Sequence, residues 1–323
     1  MTMAWLTPEH VRDLHVNAHL HPRGQAHLSA ASGLVQVGSR LFVVADDELH
    51  LGRLDAIHPN EPAPRDPQPV ELTRLFEGDL PKDKAKRKKA KPDLETLAVL
   101  PSLPGCPYGA LLALGSGSKL TRQTGVLIAL DSSGNLTERI AHMDLIPLYE
   151  PLRKRFADLN IEGAFVSSGE LRLLQRGNKG DARNACICYD WNQIFPWLVG
   201  KTQIPPLPKA INDIKLGEVD GVPLGLTDGA PLTDGAWLFS AVAENTANSF
   251  LDGTCAGSAM GVVGVDGKLR ALWRLVGGPK VEGIAVAPPA NANGDGIVIN
   301  LVTDADDPAI AAQLLRVQLP AGF

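Results

Sequence analysis

Apolar residues in this chain recur mostly with a period of two, in short runs bounded by turn residues. Such runs are Leu41-Phe42-Val43-Val44, Leu111-Leu112-Ala113-Leu114, Leu171-Arg172-Leu173-Leu174, Trp237-Leu238-Phe239 and Ile297-Val298-Ile299. Just upstream of each lies a second short run: Ser32-Gly33-Leu34-Val35, Glu95-Thr96-Leu97-Ala98-Val99, Glu162-Gly163-Ala164-Phe165-Val166, a weaker Thr227-Asp228-Gly229-Ala230, and Glu282-Gly283-Ile284-Ala285-Val286. Their starts recur about every 55 to 65 residues, the self-similarity of a radial or stacked repeat. Nine positions separate Ser32 from Leu41, Glu162 from Leu171 and Asp228 from Trp237; Pro- and Gly-containing insertions (Pro101 to Pro107, Pro288 to Gly296) lengthen the other two hairpins.

Each repeat continues with a third strand and, in most, a fourth. These are Gly125 to Leu130 and Leu136 to His142 in the second repeat, Ala185 to Tyr189 and Ile211 to Val219 in the third, and Ala259 to Val265 and Leu269 to Leu275 in the fourth. The last two are joined by Asp266-Gly267, a strong hairpin signal. The fifth repeat ends at Leu314 to Leu319, one strand short, while Val11 to Val16 is a strand-like run without a partner of its own. An open ring would leave exposed sheet edges. The pattern therefore predicts an all-β, five-bladed β-propeller whose N-terminal strand closes the last blade. The expected blades are 30–77, 93–142, 160–220, 222–276 and 280–319 plus 11–17, in one domain spanning 1–323. A six-bladed ring and a two-domain β-sandwich remain alternatives. Only Leu145 to Leu159 and Trp191 to Leu198 read as helical.

Composition agrees with many strands and tight turns: 32 Gly and 25 Pro. The net charge of −5 argues against a nucleic-acid binder. Cys106, Cys186, Cys188 and Cys255 form no disulfide framework, and neither a signal peptide nor a membrane span is legible. A reduced, cytoplasmic protein is expected, as a monomer or weak oligomer.

In a propeller the first strand of each blade lines the channel. Ser32, Glu95, Glu162, Thr227 or Asp228, and Glu282 would then converge on one axis, the nine-residue register favouring Asp228 and the strand-start pattern Thr227. Like charges that close repel and hold protons unless a cation neutralises them. A ring of oxygen donors suits a hard cation, Ca²⁺ above all; with Asp228 in the fourth blade its ligands are Ser32, Glu95, Glu162, Asp228 and Glu282. Loops between second and third strands open on the same face and are polar: Asp46-Asp47-Glu48; Ser116, Ser118, Lys119 and Arg122; Arg176, Asn178, Lys179, Asp181 and Arg183; Glu244, Asn245 and Asn248; Asp304, Asp306 and Asp307. Their Arg and Lys residues, beside a metal, would suit an anionic small molecule such as a phosphate ester. Lys82 to Lys91 holds seven basic residues and reads as a solvated loop, or as a phosphate-capturing one at the channel entrance. Gly115-Ser116-Gly117-Ser118-Lys119 lacks the spacing of a phosphate-binding loop, no Gly-x-Ser-x-Gly elbow exists, and His19-x-His21 has no third ligand at a recognised spacing and reads as surface histidine.

The strand openings Asn160-Ile161-Glu162-Gly163 and Lys280-Val281-Glu282-Gly283, with Arg176 ending the next strand, resemble the phytase-like propellers, the family named for esterase-like activity of phytase. The order Ser, Glu, Glu, Thr or Asp, Glu also resembles the calcium-activated nucleotidases, or apyrases, which are five-bladed and place one oxygen side chain per blade on a central Ca²⁺. The resemblance covers the blade openings only. It implies the fold and a central cation, and no activity. The channel ring and the polar loops together suggest a metal-dependent hydrolase in which a channel carboxylate, Glu162, serves as base and Arg176 or Lys179 stabilises charge. A non-catalytic binding or scaffold propeller is the alternative, and a glycosidase a third reading.

Overall fold

The computed structural model describes residues 3–58, 61–178, 180–246, 254–289, 296–320 and 322. The N-terminal strands β1 (Ala4–Leu6) and β2 (Glu9–Asp13) precede five antiparallel sheets. The first sheet runs β3 (Ala31–Val37), β4 (Arg40–Ala45), β5 (His50–Asp55), β6 (Glu71–Arg74). After helix α1 (Lys84–Ala90) comes β7 (Leu94–Leu100), β8 (Ala110–Gly115), β9 (Thr124–Leu130), β10 (Leu136–Asp144). Helix α2 (Ile146–Arg153) leads to β11 (Ile161–Ser167), β12 (Glu170–Gln175), β13 (Asn184–Asp190), helix α3 (Trp191–Leu198) and β14 (Ala210–Ile214). The fourth sheet holds β15 (Glu218–Val219), β16 (Val222–Pro231), β17 (Trp237–Glu244), β18 (Cys255–Val263) and β19 (Leu269–Leu275). The fifth holds β20 (Val281–Val286), β21 (Val298–Thr303) and β22 (Gln313–Gln318).

The innermost strands β3, β7, β11, β16 and β20 contact one another in cyclic order, β20 returning to β3, so the five sheets close a propeller. As the unpaired run before the first repeat predicts, β2 supplies the outer strand of the fifth sheet, antiparallel to β22. The N-terminal segment also adds β1, parallel to β19, to the outside of the fourth sheet, which the hydrophobic pattern does not reveal. The run Ile211 to Val219 is not one strand: β14 ends at Ile214, and Glu218–Val219 folds back on the start of β16. Positive φ at Asp220 and Gly221, unfavourable inside a strand, makes that turn.

Blades pack face to face, so a middle strand is covered on both sides and reads as a continuous apolar run; all six residues of β8 are buried. The apolar core accordingly divides into five clusters, one between each pair of neighbouring blades. At roughly 25 cal/mol per Å² of apolar surface buried, these seams are the main force holding the ring. α2 seals one of them with Leu148, Tyr149 and Leu152, and the Tyr149 hydroxyl donates to the Gly115 carbonyl at 2.7 Å. The basic run 82–91 is a helix rather than a loop, with Asp83 capping α1 by accepting from Lys86 N at 2.8 Å. Its Arg87 is buried and donates to Asp47 Oδ2 at 3.0 Å.

Candidate functional site: the upper mouth of the channel

Every innermost strand carries a β-bulge, near its start in four blades and in mid-strand in β16. The register breaks between Ala31 and Gly33, Leu94 and Thr96, Ile161 and Gly163, Leu226 and Asp228, and Val281 and Gly283. The residues left over are Ser32, Glu95, Glu162, Thr227 and Glu282. A bulge re-aims its extra residue away from the ladder. Ser32, Glu95, Glu162 and Glu282 accordingly line one pit at the upper end of the channel, about 660 Å³ of empty space open to solvent.

The bulge position in the fourth blade is thus Thr227, not Asp228. Thr227 is fully buried; its hydroxyl donates to the Val281 carbonyl and meets the Ser240 hydroxyl, both at 2.8 Å. Asp228 sits one residue deeper, 1% exposed, and its carboxylate accepts from Gly229 N at 2.7 Å and from Ile284 N at 2.8 Å, with the Leu34 amide also bonded to it. The expected metal ligand is therefore committed to the backbone of three blades. At the same level Gly33, Gly163 and Gly283 have no room for a side chain: a Cβ would lie 2.8 Å from Leu97 N, 2.9 Å from the Asp228 Cα and 2.9 Å from Leu34 N respectively. The strands close in here, dividing the mouth from a lower, apolar funnel lined by Leu34, Leu97, Phe165, Ala230 and Ile284.

Eight carboxylates and five cations line the mouth: Asp46, Asp93, Glu95, Glu162, Glu244, Glu282, Asp304 and Asp306 against Lys88, Lys91, Arg122, Arg176 and Lys280. Arg176, following β12, lies among three of the acids, with Nη1 3.3 Å from Glu162 Oε2 and 3.5 Å from Glu282 Oε2, and Nη2 2.8 Å from Glu244 Oε2. Lys280 Nζ reaches Asp306 Oδ1 at 2.6 Å, Glu282 Oε1 at 3.5 Å, Asp304 Oδ2 at 3.8 Å and Glu244 Oε1 at 3.9 Å. Lys91, just after α1, pairs with Asp46 and with Asp93 Oδ1 at 2.9 Å. Arg122 donates to Asp93 Oδ2 at 2.8 Å. Asn160 donates its side-chain amide to Glu162 Oε1, and Gln175 Oε1 holds the Asn160 backbone N–H at 2.9 Å. Glu95 differs: among the described residues no hydrogen bond or ion pair engages it.

Burial of so much negative charge stores protons. Burial, partly opposed by Arg176 and reinforced by Glu282, brings Glu162 up to about 7. Burial and the neighbouring Glu162, Asp93 and Asp46 push Glu95 well above the carboxylate range. Burial also raises Glu282 and Asp304, and takes Asp46 to about 6. Asp93 alone among these acids goes down, because Lys91 and Arg122 outweigh its burial.

The mouth therefore gathers Ser32, Glu95, Glu162, Glu282 and Arg176, leaves Asp228 beneath it, and is joined by Asp46, Glu244, Asp304 and Asp306 from the polar loops; Lys179 and Asn248 lie outside the described residues. Asp93 and Lys280 are missing from the sequence-derived set. Each stands two positions before a channel glutamate, as Asn160 does, so period-two alternation was the available signal. His21, expected at the surface, is buried against Glu48, its Nε2 3.0 Å from Oε1.

A single axial Ca²⁺ held by five blades does not fit this donor set. Asp228 is engaged by amides, the Ser32 hydroxyl donates to the Ala30 carbonyl at 3.1 Å, and the Arg176 guanidinium already bridges Glu162 and Glu282. Asp46, Asp93 and Glu95 do bring carboxylate oxygens within 4.8 Å of one another, an oxygen-only set suited to a hard cation.

Among the described residues no helix is long and apolar enough to cross a membrane. The fold is similar to that of glutaminyl cyclase from Myxococcus xanthus, with a TM-score of 0.50 and 12% identity over 99% of this chain and 100% of that one. It is also similar to the calcium-binding protein regucalcin from Agrobacterium tumefaciens (TM-score 0.45, 10% identity, 99% and 97% covered). A third is the PQQ-bound aldose sugar dehydrogenase from Streptomyces coelicolor (TM-score 0.42, 13% identity, 97% and 98% covered). At these identities the likeness is one of fold. No curated protein sequence matches the chain. The sequence profile described as "Family of unknown function (DUF6929)" matches residues 27–319, and the chain belongs to that family.

Proposed function

We propose that the upper mouth is the active site of a hydrolase, with Glu162 as general base and Arg176 as the group that receives developing negative charge. The observation that carries this reading is Glu162 itself. It is a buried carboxylate at the mouth, oriented by Asn160 and Arg176, whose proton affinity at about 7 matches neutral pH. Glu162 takes a proton from water as the water oxygen attacks the substrate. Arg176 stabilises the resulting oxyanion, and Glu162 passes the proton on to the leaving group. A phosphate ester, the substrate the loop cations suggest, would enter among eight carboxylates, so an uncharged ester, amide or glycosidic bond suits the reacting centre better.

The Asp46, Asp93 and Glu95 cluster favours a second reading, a divalent-cation site. These three residues would hold Ca²⁺ in place of the Lys91 ammonium, and the ion would supply Lewis-acid polarisation. The test is a hydrolysis panel of esters, amides, glycosides and phosphate esters, run with Ca²⁺ and with EDTA. The expected result is turnover that rises as pH increases through about 7, where Glu162 ionises. Glu162→Gln should lower kcat by about 10²- to 10⁴-fold, the usual contribution of a positioned general base. No turnover of any class, or an unchanged rate in Glu162→Gln, overturns the hydrolase reading. Turnover abolished by EDTA and restored by Ca²⁺ selects the cation-dependent form.

A further inference from the structure

We infer that the mouth recognises a small molecule bearing a protonated amine, received by Glu95 and Glu282. The inference rests on the reading of the mouth as an active site and names the class of its substrate.

Three observations converge. First, eight carboxyl groups face five cationic side chains in the lining, so acceptor oxygens are in excess and a ligand that brings N–H donors fits better than one that brings further acceptors. Second, cations of the lining are already engaged by carboxylates: Lys91 by Asp46 and Asp93, Arg122 by Asp93, Arg176 by Glu162, Glu244 and Glu282, and Lys280 by Glu244, Glu282, Asp304 and Asp306. An anionic ligand would have to take one of these from its partner. Third, acceptor capacity is left over. Glu95 has no hydrogen bond or ion pair among the described residues. Glu282, 4% exposed, keeps Oε1 buried without a hydrogen bond, its nearest cation Lys280 remaining 3.5 Å away. A buried carboxylate oxygen with no donor is costly unless something supplies one.

The chain itself shows which donor the mouth accepts. Two of its own side-chain ammoniums, Lys91 and Lys280, are folded into the same wall of carboxylates. A ligand ammonium, with three donors and one charge, repeats that arrangement at the place the chain leaves free. The closure at Asp228 and the channel glycines makes the mouth blind, so the amine enters from the upper face and leaves the same way.

The test is binding of ethylammonium to the full chain, with Ca²⁺ and inorganic phosphate at matched ionic strength as comparison ions. Isothermal titration calorimetry reads the binding. The expected result is saturable ethylammonium binding and no binding of phosphate. Glu95→Gln and Glu282→Gln each weaken it at least tenfold, while the surface variant Glu71→Gln does not. If Glu95→Gln fails to fold, Glu95→Asp, which keeps the carboxyl group, should fold and still bind ethylammonium. Binding of phosphate in preference to ethylammonium, of Ca²⁺ alone, or of ethylammonium equally in the Glu95 and Glu282 variants overturns the inference. Amine binding without hydrolysis of any substrate would remove the hydrolase reading and leave the recognition site standing. Hydrolysis dependent on Glu162 without amine binding would do the reverse.

Discussion

Asp228 and Glu162 occupy the channel one level apart and do opposite things. Asp228 spends its oxygens on the amides of Gly229, Ile284 and Leu34, joining three blades where the strands come closest. Removing that carboxylate leaves buried N–H groups unpaired, each at about 1–3 kcal/mol. Asp228→Ala should therefore destabilise the protein by on the order of 3 kcal/mol in urea denaturation; a loss below about 0.5 kcal/mol, the range of ordinary surface substitutions, would contradict the plug. Ser32, Glu95, Glu162 and Glu282 were legible because the same opening recurs at blade spacing. The choice between Thr227 and Asp228 was not. A bulge sets two residues against one, and sequence spacing counts residues without showing which one the ladder skips.

At the scale of elements, the strands were readable and their edges were not. Middle strands buried on both faces give continuous apolar runs, whereas β1, three residues long with Trp5 exposed, carries too little pattern to be told from a loop. The basic run 82–91 looks solvated by composition alone. It folds as α1 because Asp83 caps it and because Asp46 and Asp47, remote in sequence, and the nearby Asp93 receive Arg87 and Lys91. The closing strand β2 buries Val11, and the Leu14 that follows it, against the fifth and first blades. Deleting residues 1–13 should expose the β22 edge, lower the melting temperature and promote association. Size-exclusion chromatography with thermal melting checks this, and an unchanged, equally stable species would argue against ring closure by β2.

Over the whole molecule, five hydrophobic seams support one expensive feature, a mouth in which carboxylates are held together away from water. Unfolded carboxyl groups ionise near pH 4. Glu162 at about 7 and Asp46 at about 6 keep their protons longer in the folded chain. Between those limits the folded state binds more protons than the unfolded one, so the stability these groups contribute is present in acid and lost as pH rises toward 7. Asp93 and Glu48, whose proton affinities are lowered, act oppositely: their contribution is present above the unfolded range and lost on further acidification. Storing a proton at a preformed mouth is the physical property from which the base role of Glu162 derives. Carboxyl ¹³C NMR titration of the glutamates reads that property directly. The expected result is a glutamate resonance with its midpoint at about 7 that disappears in Glu162→Gln; every glutamate titrating below about 5, the ordinary range for exposed side chains, would contradict the account.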